Sequence, residues 1–160
     1  LDNDDAIATD FVERLQAAAR SAPRDRARSL NFANGFVMQG PKLYAHRHER
    51  NAFASWLEPW DETMRCAYSI SHMLIAEHGP VDQIEGAGAW LQVVHGGNVS
   101  NKVRGRRVGP DEARGRFPPE PIAQLAPASV LERAFETFAL APLRAARDRA
   151  ADLVRRHGAK

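Results

Sequence analysis

Prolines and glycines, often adjacent, decide what this chain can build. Breaks fall at Pro23, Gly40-Pro41, Pro59, Gly79-Pro80, Gly109-Pro110 and the run Pro118-Pro119-Glu120-Pro121. Proline lacks the N–H that regular structure uses and glycine favours turns, so a long coiled coil is excluded and every element is short. Between the breaks, apolar residues recur at spacings of three and four, the period of a helix with one buried face. The expectation is an all-α fold, a single helical domain over residues 1–160 of about six or seven helices.

Taken in order, Asn3 to Ala22 reads as an amphipathic helix capped by Asn3 or Asp4, with Ile7, Phe11, Leu15 and Ala18 as its stripe. Residues 27–38 fit either a second helix or two short apolar runs joined by a turn at Asn34-Gly35. Ala52, Phe53, Trp56 and Leu57 suggest a helix ending at Pro59, and Asp61 is placed to cap a longer one through about Glu77. Val81–Gln92 fits a short helix using Ile84, Ala87, Trp90 and Leu91. Beyond the proline-rich connector, two stripes follow, one over Val130–Phe138 and one over Leu143–Val154, with Pro142 between them.

Charge is distributed unevenly. The formal net charge is +2, yet Ser100–Phe117 alone carries +4 and the remainder nets −2. A basic stretch on a balanced protein points to an anionic partner. Val99 and Val103, four apart, would share the buried face of a short helix and leave Asn101 and Arg104 outward. Asn pairs bidentately with adenine and Arg with guanine, so that helix could read DNA.

In its order of long helix, sharp stop, short helix, turn and short helix, Thr63–Pro110 resembles the helix-turn-helix of Cro and phage-repressor DNA-binding proteins. The likeness is carried by Val99-Ser100, Val103, Gly105-Arg106-Arg107 and the small residue Ala89. The resemblance implies a helix-turn-helix at about 81–107 within the single domain. It implies sequence-preferential binding of double-stranded DNA as a transcriptional regulator of phage or mobile-element type, acting as a homodimer on two half-sites. Carried over by residue, Asn98, Ser100, Asn101 and Arg104 would meet base edges or phosphates, and Lys102, Arg106 and Arg107 would hold the backbone. The alternative is a helical interaction module that meets an acidic protein surface with the same stretch.

Other chemistry has thinner support in the sequence. His46, His48 and Glu49 lie close together in sequence, and His72, His78 and His95 are candidates to join them. Histidines two apart face opposite sides of a helix and could chelate only from a loop or strand, and HExxH spacing is missing, so exposed histidines near helix ends are expected and no metal. No nucleophile elbow, phosphate loop or dinucleotide fingerprint occurs, which leads to the expectation of a non-enzyme without cofactors. Trp56, Trp60 and Trp90 read as core, Gly96-Gly97 as a turn, and the lone Cys66 as a small core residue of a cytoplasmic protein. No apolar run reaches bilayer length. The chain opens at Leu1 without a methionine, as a fragment or a trimmed chain would.

Overall fold

In the computed structural model, which describes residues 5–60, 71–95, 103–140, 142–143 and 146–147, most of the stretch between residues 28 and 93 that belongs to regular elements is strand. The elements are β1 (Ala6–Ile7), α1 (Phe11–Ser21), β2 (Arg28–Phe32), β3 (Asn34–Gln39), β4 (Lys42–Arg47), β5 (Ser55–Leu57), α2 (Ile75–His78), β6 (Val81–Ile84), β7 (Trp90–Val93), β8 (Arg106–Val108), α3 (Pro119–Ala123) and α4 (Val130–Phe135). A 3-10 turn covers Pro110–Glu112, and a π-helical turn, Glu136–Leu140, extends α4.

The all-α expectation is therefore corrected to a mixed α/β fold with two sheets. One has the order β1-β7-β3-β4-β8 and the other β5-β2-β6. The helix expected over Asn3–Ala22 survives only as α1, and the helix expected at Val81–Gln92 is two strands, β6 and β7. The helix-turn-helix at 81–107 falls with it, since its described parts are strand and irregular chain. The physical reason is burial on both faces. All five residues of β2 are buried, and a strand covered on both sides loses the alternation that would distinguish it from a buried helix. Most of the helix expected at 61–77, and the valine-pinned helix as far as Lys102, lie outside the described residues.

The two sheets are joined by a shared bend. β2 runs into β3 through Ala33, and the same neighbours follow it across: β6 pairs parallel with β2 and β7 parallel with β3. On the other flank β5 and β4 pair antiparallel with β2 and β3. Backbone bonds bridge the bend, with Ala89 N–H donating to Asn34 C=O and His48 N–H to Ala33 C=O. At the far end, Gly40 at φ +50° and Pro41 make the two-residue hairpin between β3 and β4, a turn that needs a positive φ.

The larger sheet packs on both faces. On one, Phe36, Met38, Leu43, Leu91 and Val108 are sealed by Ala113, Phe117, Ile122 and Leu125 from the following segment; the Phe36 and Phe117 rings meet edge to face at 5.9 Å. On the other, Val37, Tyr44, Trp90 and Val94 pack with Phe11, Phe32 and Phe53. Helix α1 is held across its neighbours by Arg14, whose guanidinium lies 4.8 Å from the Phe32 ring and donates to the carbonyls of Ala87 and Glu85. Among the described residues no helix is long and apolar enough to cross a membrane.

Candidate active site

The outgoing end of β4 carries His46 and, one residue past the strand, His48. Two apart on extended chain, their side chains leave the same side, and the ring centroids are 5.7 Å apart. Both are half-buried rather than exposed at helix ends. His46 faces the Trp90 indole edge-on at 6.1 Å, and Trp90 stacks on Phe53 at 5.2 Å with ring planes 10° apart. This arrangement depends on Gly35, the partner of His46 across the ladder. A Cβ there would sit 2.1 Å from the Trp90 ring, so only glycine lets the indole lie over β3.

An amide network fixes the backbone that follows. Asn51 Nδ2 donates to Phe32 C=O at 2.8 Å and to His48 C=O at 2.9 Å, while Asn51 Oδ1 accepts from Phe53 N–H. Trp90 Nε1 donates to the same Phe32 carbonyl at 2.8 Å. Asn31 Nδ2 donates to Gln83 Oε1 and, more weakly, to His48 C=O. His48 is thus held through its main chain, whereas its ring Nδ1 is buried without a hydrogen-bond partner.

Burial disfavours the charged form of both imidazoles. Burial pushes the His46 pKa down from 6.5 to about 4, with His48 and then Arg104 adding charge repulsion. Burial also lowers His48, followed by Arg104 and His72, against a smaller upward pull from Glu49. Perturbed titrating groups gathered at one place are a mark of functional sites. Beside them, Asn34, Gly35, Phe36, Ala45, His46, Arg47, Gly88 and Glu112 line an open cleft of about 260 Å³.

The residues assigned to DNA contact are placed differently. Asn98, Ser100, Asn101 and Lys102 lie outside the described residues. Arg104 precedes β8 on irregular chain and acts on His46 and His48. Arg106 is in β8 with its guanidinium 3.8 Å from Glu112. Arg107 is 1% exposed, donates to the carbonyls of Leu43, Val108 and Ala126, and lies 3.4 Å from the Glu132 carboxylate. It is a structural tie. The Glu132 carboxyl is opposed by burial, yet the bonds from Lys42 and Arg107 bring it below the usual carboxylate range. Of the tryptophans expected in the core, Trp90 is there, whereas Trp56 is half-buried with Nε1 on Glu58 and Trp60 is 88% exposed. His78 does close a helix, α2, as expected. Cys66 and Gly96-Gly97 are outside the described residues.

Sequence reasoning had set His46 and His48 aside, although their spacing of two is the signature of one face of a strand. Their partner Arg104 comes from far along the chain, delivered by the pairing of Ala45 with Arg106 between β4 and β8.

A family model described as "putative rhamnosyl transferase" matches residues 1–107, about two thirds of the chain. No curated protein and no solved structure matches. The match overturns the relation to Cro and phage repressors, and with it the DNA-binding and transcriptional reading; the interaction-module alternative gains nothing. It also opposes the expectation of a non-enzyme, because the description names a glycosyltransferase. The chain belongs to this rhamnosyl-transferase family.

Proposed function

We propose that the chain is catalytic and transfers a rhamnosyl group from an activated donor to an acceptor hydroxyl, with the cleft beside His46 receiving the acceptor. The observation that carries this reading is the extent of the family match, which includes β1 through β7, the start of β8 and the whole imidazole cluster.

The chemistry required is modest. The acceptor oxygen bonds to the anomeric carbon, and the bond from that carbon to the donor's leaving oxygen breaks with its electron pair going to the leaving group. The acceptor proton must pass to a base. His46 lines the cleft and is neutral at pH 7, the protonation state a base needs. Asn34, Arg47 and Glu112 bring hydrogen-bonding groups of the kind that orient sugar hydroxyls.

The test is turnover of a nucleoside-diphosphate rhamnose with a panel of saccharide acceptors, following release of the nucleotide. The parent should consume donor, and His46→Asn should be slower by about 10²-fold while remaining folded, in line with loss of a general base. A folded parent that neither binds nor consumes any such donor sinks the reading. A variant as fast as the parent removes His46 from the step.

A further inference from the structure

Helix α4 and the π-helical turn that extends it are built inside out. A helix packed on a protein normally buries its apolar stripe and leaves its charges to solvent. Here Leu131, Phe135 and Phe138, at spacings of four and three, share one face. All three are exposed, Leu131 at 83% and Phe138 at 82%, and so are Val130 and Leu143 beside them. Of the nine large hydrophobic side chains exposed among the described residues, five fall in this one stretch, which makes it a patch and not scatter.

The carboxylates of the same segment are turned the other way. Glu136 is buried, and Glu132 is drawn inward by Lys42 and Arg107, each at 3.4 Å. Arg107 is itself anchored on the carbonyls of Leu43, Val108 and Ala126. Turning α4 to bury its apolar side would break both ion pairs. The outward attitude of the stripe is therefore fixed by the fold.

Charge says what covers such a patch. Residues 130–160 hold seven Lys and Arg against four Asp and Glu, a net charge of +3, whereas residues 1–129 net −1. A second copy seated on this face would bring two such segments together, and like charges oppose that. A protruding helix is also convex and offers no groove to a peptide. A bilayer with anionic headgroups answers both points, since the acyl boundary takes Phe and Leu side chains and the headgroups take the positive charge. Among the described residues no helix is long and apolar enough to cross a membrane, so the contact would lie in the plane of the interface.

We propose that the face of α4 and its π-helical turn formed by Leu131, Phe135 and Phe138 docks on the surface of an anionic phospholipid bilayer. The docking stands apart from the glycosyl-transfer reading, and either can fail alone. Because Arg107 links α4 to β8 and β4, docking would also hold the cleft beside His46 at a fixed attitude to the membrane.

The experiment is co-sedimentation of the full chain with vesicles of phosphatidylcholine alone and of phosphatidylcholine mixed with phosphatidylglycerol, at low and at physiological salt. The parent should bind the mixed vesicles about tenfold or more tightly than the neutral ones, and less tightly as salt rises. Leu131→Glu combined with Phe138→Glu should weaken binding by about tenfold or more. Both side chains stand in solvent, so this variant should keep the parent's circular dichroism and thermal midpoint, and Phe138→Leu should bind as the parent does. A parent that stays in the supernatant with mixed vesicles overturns the proposal, a result that needs no variant to fold. Binding that the double variant retains overturns it as well, by moving the contact elsewhere, and so does binding indifferent to phosphatidylglycerol. In sedimentation equilibrium without lipid the parent should be monomeric. A dimer that the double variant dissolves gives the face to a second copy and overturns membrane docking.

Discussion

The two faces of the five-stranded sheet are built on different terms. On one, Phe36, Met38, Leu43 and Leu91 belong to an apolar cluster, and the cover, from Ala113 to Leu125, comes from beyond the stretch that matches the family. On the other, the whole cluster lies between Ile7 and Val103, within the match, and its apolar residues share their space with an indole N–H, imidazoles and amides. An apolar cluster can be sealed by any segment of suitable shape, since burial rewards area and volume. A face with polar groups inside needs each of them answered. The second face is accordingly where chemistry is to be sought, and where few substitutions can be neutral.

The comparison can be broken most forcefully at Arg107. This side chain ties β8, β4 and the covering segment together through the carbonyls of Leu43, Val108 and Ala126. Arg107→Ala leaves buried carbonyls unanswered and should cost about 3 kcal/mol or more. In a denaturant titration the midpoint should fall sharply, and proteolysis should cut first after residue 108 while the His46 ring signal keeps its position. Early movement of that signal means that the faces do not separate in this way.

A middle effect is expected at Gly35. Gly35→Ala puts a Cβ 2.1 Å from the Trp90 ring, and overpacking of this kind costs about 1–3 kcal/mol. Near-ultraviolet circular dichroism should lose its Trp90–Phe53 contribution with the far-ultraviolet spectrum unchanged. An unaltered spectrum and midpoint would show that the indole has another place to go.

The smallest effect concerns protons. The His46 pKa is depressed from 6.5 to about 4, so between those values the unfolded chain binds a proton that the folded one refuses. This contribution to stability is intact above pH 6.5, falls as pH drops toward 4, and levels off below. Allowing for partial solvent screening, the loss by pH 5 is about 1 kcal/mol. His46→Asn should flatten this part of the curve of stability against pH; a parallel curve would assign the dependence to other groups.

How much of this was legible in the sequence depends on what each residue touches. Helix α1 was readable from Phe11, Leu15 and Pro23, because one face is wet and the stripe is clean. The burial of Trp90 followed from its type. The strands were not readable: residues 28–32 are buried throughout, and Ala52, Phe53, Trp56 and Leu57 have helical spacing by coincidence. Four of the expected DNA contacts, Asn98, Ser100, Asn101 and Lys102, have no described position, and Arg107 turned inward because the strand required it. Of the candidate site, the His46–His48 pair stood in plain view, but Arg104 joins it only through pairing between strands distant in sequence.

The bend that β2 shares with β3 also sets an order of events during synthesis. Its parallel neighbours β6 and β7 are separated from it by a long stretch of chain, as with Asn31 and Gln83, 52 residues apart. Until Val93 has left the ribosome, one edge of both sheets is without its neighbour, and the nascent chain carries exposed strand edges of the sort that associate wrongly. Folding of this domain is thus committed late, and a pause placed before residue 81 should leave more aggregated product than one placed after residue 93.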